Sequence, residues 1–220
     1  MTTLLAVAHG TRSAAGQRQI RDLVAAVARR RPELDVRLCY VDVQQPRISS
    51  VVPEVRDAVV VPLLLSAGYH VRVDIADAVR GTGIPVAGPL GPDDALVASL
   101  TREADRLAGA DAVVLAAAGS SDPAWRTSVQ EIAAGMKAHV AYAAGDDRRV
   151  ADVVADLRGR GAQRIAIAAY LLADGLFYRT LHRAGADLVT PPLCLDPALT
   201  GLVLRRFDRA RLLTTARAGM

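Results

Sequence analysis

Read from Ala112 onward, the chain repeats itself. "LLAVAHGTRS" (4–13) returns as "VVLAAAGSSD" (113–122), and "LCYVDVQQPRISSVV" (38–52) returns as "VAYAAGDDRRVADVV" (140–154). Further on, "PLLLSAGYHVR" (62–72) returns as "AYLLADGLFYR" (169–179), and "PLGPDDAL" (89–96) as "PLCLDPAL" (192–199). Four matched blocks in one order mark an internal duplication, and a period of about 105 residues is far too long for a solenoid repeat. Each copy is therefore expected to be a domain in its own right, 1–109 and 110–220. The boundary is expected in "LAGADA", Leu107 to Ala112, after "DDALVASLTREADRL" has closed the first copy.

Within each copy, short runs too apolar to be half-exposed strands ("LLAVA", "AVVVPLLLS", "RIAIAAYLL") alternate with longer amphipathic ones. Such alternation predicts parallel βα units. The expected class is α/β: two duplicated domains, each a small doubly wound parallel sheet with helices on both faces, facing across a cleft. A hydrophobic share of 51% supplies enough material for that core and excludes disorder. No apolar run reaches the roughly 18 residues of a membrane span. Met1 leads straight into a strand-like run with no charged leader before it, so a cytoplasmic location without a membrane partner is expected. Cys39 and Cys194 lie far apart and in no CxxC pattern, which predicts two buried thiols and neither an iron–sulfur cluster nor a disulfide framework.

Ligands of open parallel sheets bind beyond the carboxyl ends of the strands. His9 follows the first strand run, Asp42 the second, and His70 the third, so three potential metal ligands are expected on one edge of the first domain. The second copy is an internal control: His9 aligns with Ala118, Asp42 with Ala144 and His70 with Phe177, while Gly10 and Gly68 persist as Gly119 and Gly175. Residues needed for folding are kept and the ligand types are dropped. Core histidines would have no reason to vanish together with the acid. Two imidazoles and at most one carboxylate leave coordination positions open, which suits a metal that is handed on rather than a closed structural site of four ligands. His70, at or just before a helix start, is expected to be a neutral, metal-binding imidazole. His139 and His182 have no ligand-type neighbour at such spacing and are expected to be structural or surface residues.

The net charge of +4 is carried by 26 arginines and one lysine, Lys137. Basic runs interleaved with aromatics are absent and aromatics make up 4% of the chain, so nucleic acid is not an expected partner. Some of the arginine forks are candidates for holding carboxylates in bidentate fashion.

"AHGTRS" after the first strand, "YVDVQQP" after the second and "GYHVRVDI" after the third resemble the motifs of the sirohydrochlorin chelatases, the CbiX/SirB-type class II chelatase family. The long members of that family are two fused chelatase-like halves, so the resemblance covers essentially the whole chain. It implies an ATP-independent chelatase of the lyase class that inserts Fe²⁺ or Co²⁺ into sirohydrochlorin, in siroheme or cobalamin biosynthesis. The expected partners are sirohydrochlorin or a related tetrapyrrole and the divalent metal, with no cofactor beyond that metal substrate and the chain acting as a monomer. On this resemblance His9 and His70 are the metal ligands and catalytic residues, one of them also accepting pyrrole protons. Asp42 joins them where the family often has the longer Glu, and its role stays open between ligand and proton acceptor. Removing two pyrrole protons as the metal enters is base work that a neutral imidazole can do. Arg12 and Arg47 in the first copy, and Arg126 and Arg179 in the second, are candidates for the carboxylates around the macrocycle, with Ser120 and Ser121 offering hydroxyls. A porphyrin ferrochelatase of the same architecture and a non-catalytic metal or tetrapyrrole carrier are the rival readings. A nucleotide-binding protein is disfavoured because the chain has neither G-x-G-x-x-G nor G-x-x-x-x-G-K-[ST].

Overall fold

A computed structural model of the full chain describes residues 1–66, 69–106, 109–145 and 147–218; the side chains at 69–72, 105 and 215–218 lie outside the description. The expected α/β class is what is found. In the first repeat, β1 (Thr3–Ala8), α1 (Ala14–Arg30), β2 (Asp35–Tyr40), α2 (Ile48–Val51), β3 (Ala58–Pro62) and α3 (Tyr69–Val79) form a parallel sheet of order β2-β1-β3 with its helices. Val86 extends that sheet by a single parallel bridge to Val60. After α4 (Asp94–Arg106), the second repeat runs β4 (Ala112–Ala117), α5 (Pro123–Gly135), β5 (His139–Tyr142), α6 (Val150–Gly159), β6 (Ile165–Tyr170), α7 (Leu176–Leu181) and β7 (Leu188–Val189). Its parallel sheet has the order β5-β4-β6-β7. The chain ends in α8 (Ala198–Ala218).

The apolar runs are central strands for the reason their composition suggests. Every residue of β1, β3 and β6 is buried, which a parallel sheet covered on both faces requires. Alternate residues Leu5, Val7, Cys39 and Val60 pack with Ile48 and Ile75 on one face of the first sheet. The opposite face is covered by α1 and α8. In the second sheet Val114, Ala116, Ile165 and Ile167 pack with Val154 and Leu157 of α6 and Leu181 of α7. Its other face meets α4 and α5.

Packing divides the chain differently from the repeat. The compact units are Met1–Gly91 with Pro197–Met220, and Pro92–Asp196. The helix that closes the first repeat in sequence, α4, lies on β6, and its counterpart α8 lies on β3. The exchange works because the two helices present matching apolar positions. Leu96 and Leu100 of α4 correspond to Leu199 and Val203 of α8, and all four are buried to within 1%. Burying an aliphatic side chain of this size contributes about 1.5–3 kcal/mol wherever the receiving face is apolar. The spans 1–109 and 110–220 thus describe the duplication, while each packed unit takes its last helix from the other repeat. No described helix is long and apolar enough to cross a membrane.

Candidate active site

The loops beyond β1 and β2 form the edge on which two of the three predicted ligands sit. Gly10 turns the chain at φ 101°, and its absent side chain lets the Asp42 carbonyl approach closely: a β-carbon there would lie 2.3 Å from that oxygen. The Asp42 N–H donates to the His9 carbonyl at 3.0 Å, and the Val41 N–H donates to the Ala8 carbonyl at 2.9 Å. The loop beyond His9 is tied down from both sides. Thr11 N–H donates to Gln44 Oε1 at 2.9 Å, Gln17 Nε2 donates to the Thr11 carbonyl at 2.9 Å, and Ser13 Oγ caps α1 by accepting from Gly16 N–H. His9 and Asp42 are thereby held side by side with their side chains exposed to solvent.

Asp42 is further fixed by Arg47, whose Nη1 donates to Asp42 Oδ1 at 2.8 Å and to the Val41 carbonyl at 2.7 Å. The Val43 N–H and the Arg47 guanidinium, with a smaller electrostatic contribution from His9, hold the Asp42 carboxyl below the usual aspartate range. Asp42 is therefore a fixed anion at neutral pH. Arg47, named from sequence as a candidate for substrate carboxylates, is engaged with Asp42; Arg12 is exposed on the His9 loop.

His9, Asp42 and Arg47 line a concavity of about 730 Å³ together with Ile48 and Ser49 and with Asp74 and Asp77 of α3. Asp74 and Asp77 escaped the sequence reading. The usable signal was spacing, because "HVRVDIAD" sets Asp74 four residues and Asp77 seven residues after His70, along one helical face. Asp77 is ion-paired with Arg80. Position 70 falls in the first turn of α3, and the His70 side chain lies outside the described residues, as do Ala67 and Gly68. Among the described residues, no three His, Cys, Asp or Glu side chains gather closely enough to hold a metal ion. A second concavity of about 710 Å³ is lined by α4 alone.

The second repeat rebuilds the backbone of the same edge. Ala144 N–H donates to the Ala118 carbonyl at 2.9 Å, Ala143 N–H to Ala117 at 2.8 Å, and Gly119 turns at φ 107° with the Ala144 carbonyl 2.4 Å from where a β-carbon would stand. Tyr142 N–H donates to the Arg148 carbonyl as Tyr40 N–H does to Pro46, both at 2.9 Å. Asp122 caps α5 where Ser13 caps α1. Arg126 takes the place of Gln17: its Nε donates to the Ser120 carbonyl at 2.7 Å, it pairs with Asp147, and it lies 5.5 Å from the Tyr142 ring centroid. The Ser120 hydroxyl accepts from Asp122 N–H at 3.1 Å, while Ser121 is exposed. Arg179, on α7, pairs with Asp174 at 3.2 Å. Arg126 and Ser120 thus already serve their own loop.

The remaining titratable groups fall where the sequence suggested. Cys39 and Cys194 are buried, and burial pushes the Cys39 thiol up to about 12, so it stays protonated. His139 is exposed at the start of β5, and His182 packs edge-on against Tyr178 with ring centroids 4.9 Å apart.

The CbiX family model matches the chain twice, over residues 3–107 and 112–210. Among solved structures, the chain is similar to SirB from Bacillus subtilis with Fe³⁺, at 20% identity and a TM-score of 0.79 over 96% of each chain. It is also similar to the sirohydrochlorin chelatase SirB from Bacillus subtilis subspecies spizizenii in complex with cobalt, at 20% identity and a TM-score of 0.70 over 96% of this chain and 95% of that one. A third likeness is to CbiX, the terminal enzyme for biosynthesis of siroheme in denitrifying bacteria, at 22% identity and a TM-score of 0.71 over 94% of this chain and 99% of that one. No curated protein matches the chain. Identities of this size speak for the shared fold, whereas the family model covers both repeats, and the chain belongs to the CbiX family.

Proposed function

We propose that this protein is a chelatase that inserts a divalent metal, Fe²⁺ or Co²⁺, into sirohydrochlorin, for siroheme or cobalamin biosynthesis. The observation that carries this reading is the contrast between two loop edges of the same backbone design. They share the backbone hydrogen bonds that carry the Gly10 and Gly119 turns, yet only the first has an imidazole and a carboxylate at the matched positions, His9 and Asp42 against Ala118 and Ala144, and those two side chains line a concavity. The SirB structures solved with Fe³⁺ and with cobalt, which share this fold, support a metal as a ligand of the protein.

In this account the incoming metal meets His9 and Asp42 first. Asp42 is ionised and braced by Arg47, so it offers negative charge to a cation and is a weak base for a pyrrole proton. The imidazoles of His9 and His70 complete the ligand set, and one of them takes protons. The divalent ion enters the macrocycle as two N–H protons leave, so the ring becomes dianionic around the metal and no redox step or nucleotide is needed. Asp74, exposed among the residues lining the same concavity, adds negative charge along the metal's approach. Arg12 receives a peripheral carboxylate of the substrate, and Ser121 and Arg179 are the second repeat's contributions to substrate binding, with Arg126 and Ser120 holding their loop. The enzyme works as a cytoplasmic monomer and needs no cofactor beyond its metal substrate.

Anaerobic incubation with sirohydrochlorin and Fe²⁺, Co²⁺ or Ni²⁺ in turn, followed by absorbance, tests this. Conversion faster than the protein-free rate with Fe²⁺ or Co²⁺ is expected. Stoichiometric binding of sirohydrochlorin without conversion would instead favour the carrier reading, and conversion of a porphyrin in its place the ferrochelatase reading.

A further inference from the structure

Beside Asp42 the backbone does something its sequence should resist. Val43 sits at φ 64°, and the Gln44 N–H donates back to the Asp42 carbonyl at 2.6 Å, closing a three-residue turn around a left-handed residue. Such turns are rare and strained, and a β-branched side chain is among the least tolerant of that region. The second repeat places glycine at the matching position. Its counterpart is Gly145 at φ 100°, and a β-carbon there would meet nothing within 4 Å, so glycine is used even where a side chain has room.

A valine in this turn is not explained by core packing, since Val43 is 42% exposed. Its β-carbon lies 3.1 Å from where a β-carbon of Gly10 would be, next to the turn that follows His9. Local strain of this kind concentrates at functional sites, where the side chain's task outweighs its cost. We propose that Val43 is a substrate-binding residue whose exposed isopropyl group seats against the apolar face of the tetrapyrrole, registering the ring centre over His9 and Asp42. This rests on the chelatase reading and adds a contact to it.

The test uses the full chain and sirohydrochlorin with Co²⁺, comparing wild type with Val43→Gly, Val43→Asn and Val43→Ile. Glycine and asparagine both tolerate the left-handed turn but remove the apolar surface. Their KM for sirohydrochlorin should rise about 10-fold, as withdrawing one aliphatic side chain from an apolar ligand implies, with kcat within about 3-fold of wild type. Affinity for Co²⁺ alone should not change, Tm should stay at or above the wild-type value, and Val43→Ile should keep the wild-type KM. The reciprocal Gly145→Val should lower Tm and leave KM untouched, showing the strain without the contact. An unchanged KM in Val43→Gly and Val43→Asn overturns the assignment, as does a fall in Tm with KM unchanged, which would mark Val43 as a cover for Gly10. A wild-type chain that inserts no metal overturns the chelatase reading itself, whereas an active wild type with indifferent Val43 variants overturns this proposal alone.

Discussion

A β-carbon at position 10 would stand 2.3 Å from the Asp42 carbonyl oxygen, and one at position 119 would stand 2.4 Å from that of Ala144. Both glycines also hold positive φ, so alanine at either position meets backbone overlap and torsional strain together. Gly10→Ala and Gly119→Ala should each lose about 3 kcal/mol in denaturant unfolding. They should part in function, because only the first change moves Asp42 relative to His9. Co²⁺ affinity measured by calorimetry should drop in Gly10→Ala and hold in Gly119→Ala; equal losses would show that the two edges are not functionally distinct. His9 and Asp42 were legible because the second copy discards them, whereas the commitment of Arg47 to Asp42 was not. A guanidinium five residues from a carboxylate reads in sequence equally well as a ligand for substrate or for its neighbour, and only the loop path decides.

Strand ends in the second unit are pinned by a carboxylate that the sequence does not advertise. Asp187, just before β7, accepts from the Ile165 N–H at the head of β6 at 2.7 Å and from Arg158 at 2.5 Å. The Ile165 N–H first, and Arg158 second, hold its carboxyl below the ordinary value of 3.8. A carboxyl depressed in the folded state adds stability that is fully present above its unfolded pKa and is lost as pH falls through the folded one. Asp187→Ala should therefore melt below wild type at pH 7, and the gap should close as pH falls below about 3.8. A gap that stays constant from pH 7 to pH 3 would mean the charge is not the cause. Element types were readable from apolar runs too continuous for half-exposed strands, but the final strand of each sheet was not. "IPVAGPL" and "DLVTPPL" look alike, yet the first gives a single bridge and the second a two-residue strand. Pairing over so few residues depends on where the neighbouring loops bring the chain.

Across the whole molecule, the duplication and the α/β class follow from the sequence, and the ownership of the closing helices does not. α4 and α8 carry the same buried pattern, Leu96 and Leu100 against Leu199 and Val203, so each satisfies either sheet and the amphipathic pattern cannot say which it covers. On the proposed reading, a chain built from two equivalent folds keeps the metal-handling imidazole and carboxylate on one edge and has lost them from the other. That is the central claim, and His9 is where it is most exposed to test. The deciding measurement is the initial rate of Co²⁺ insertion at saturating sirohydrochlorin for wild type, His9→Ala, and His9→Ala combined with Ala118→His, with circular dichroism as the folding control. His9→Ala should stay folded, as Ala118 shows this turn accepts alanine, and should lose at least about 100-fold in rate. Adding Ala118→His should restore nothing, because Ala144 provides no carboxylate beside it. A near-normal rate in His9→Ala, or rescue by a histidine in the second copy, would contradict the account.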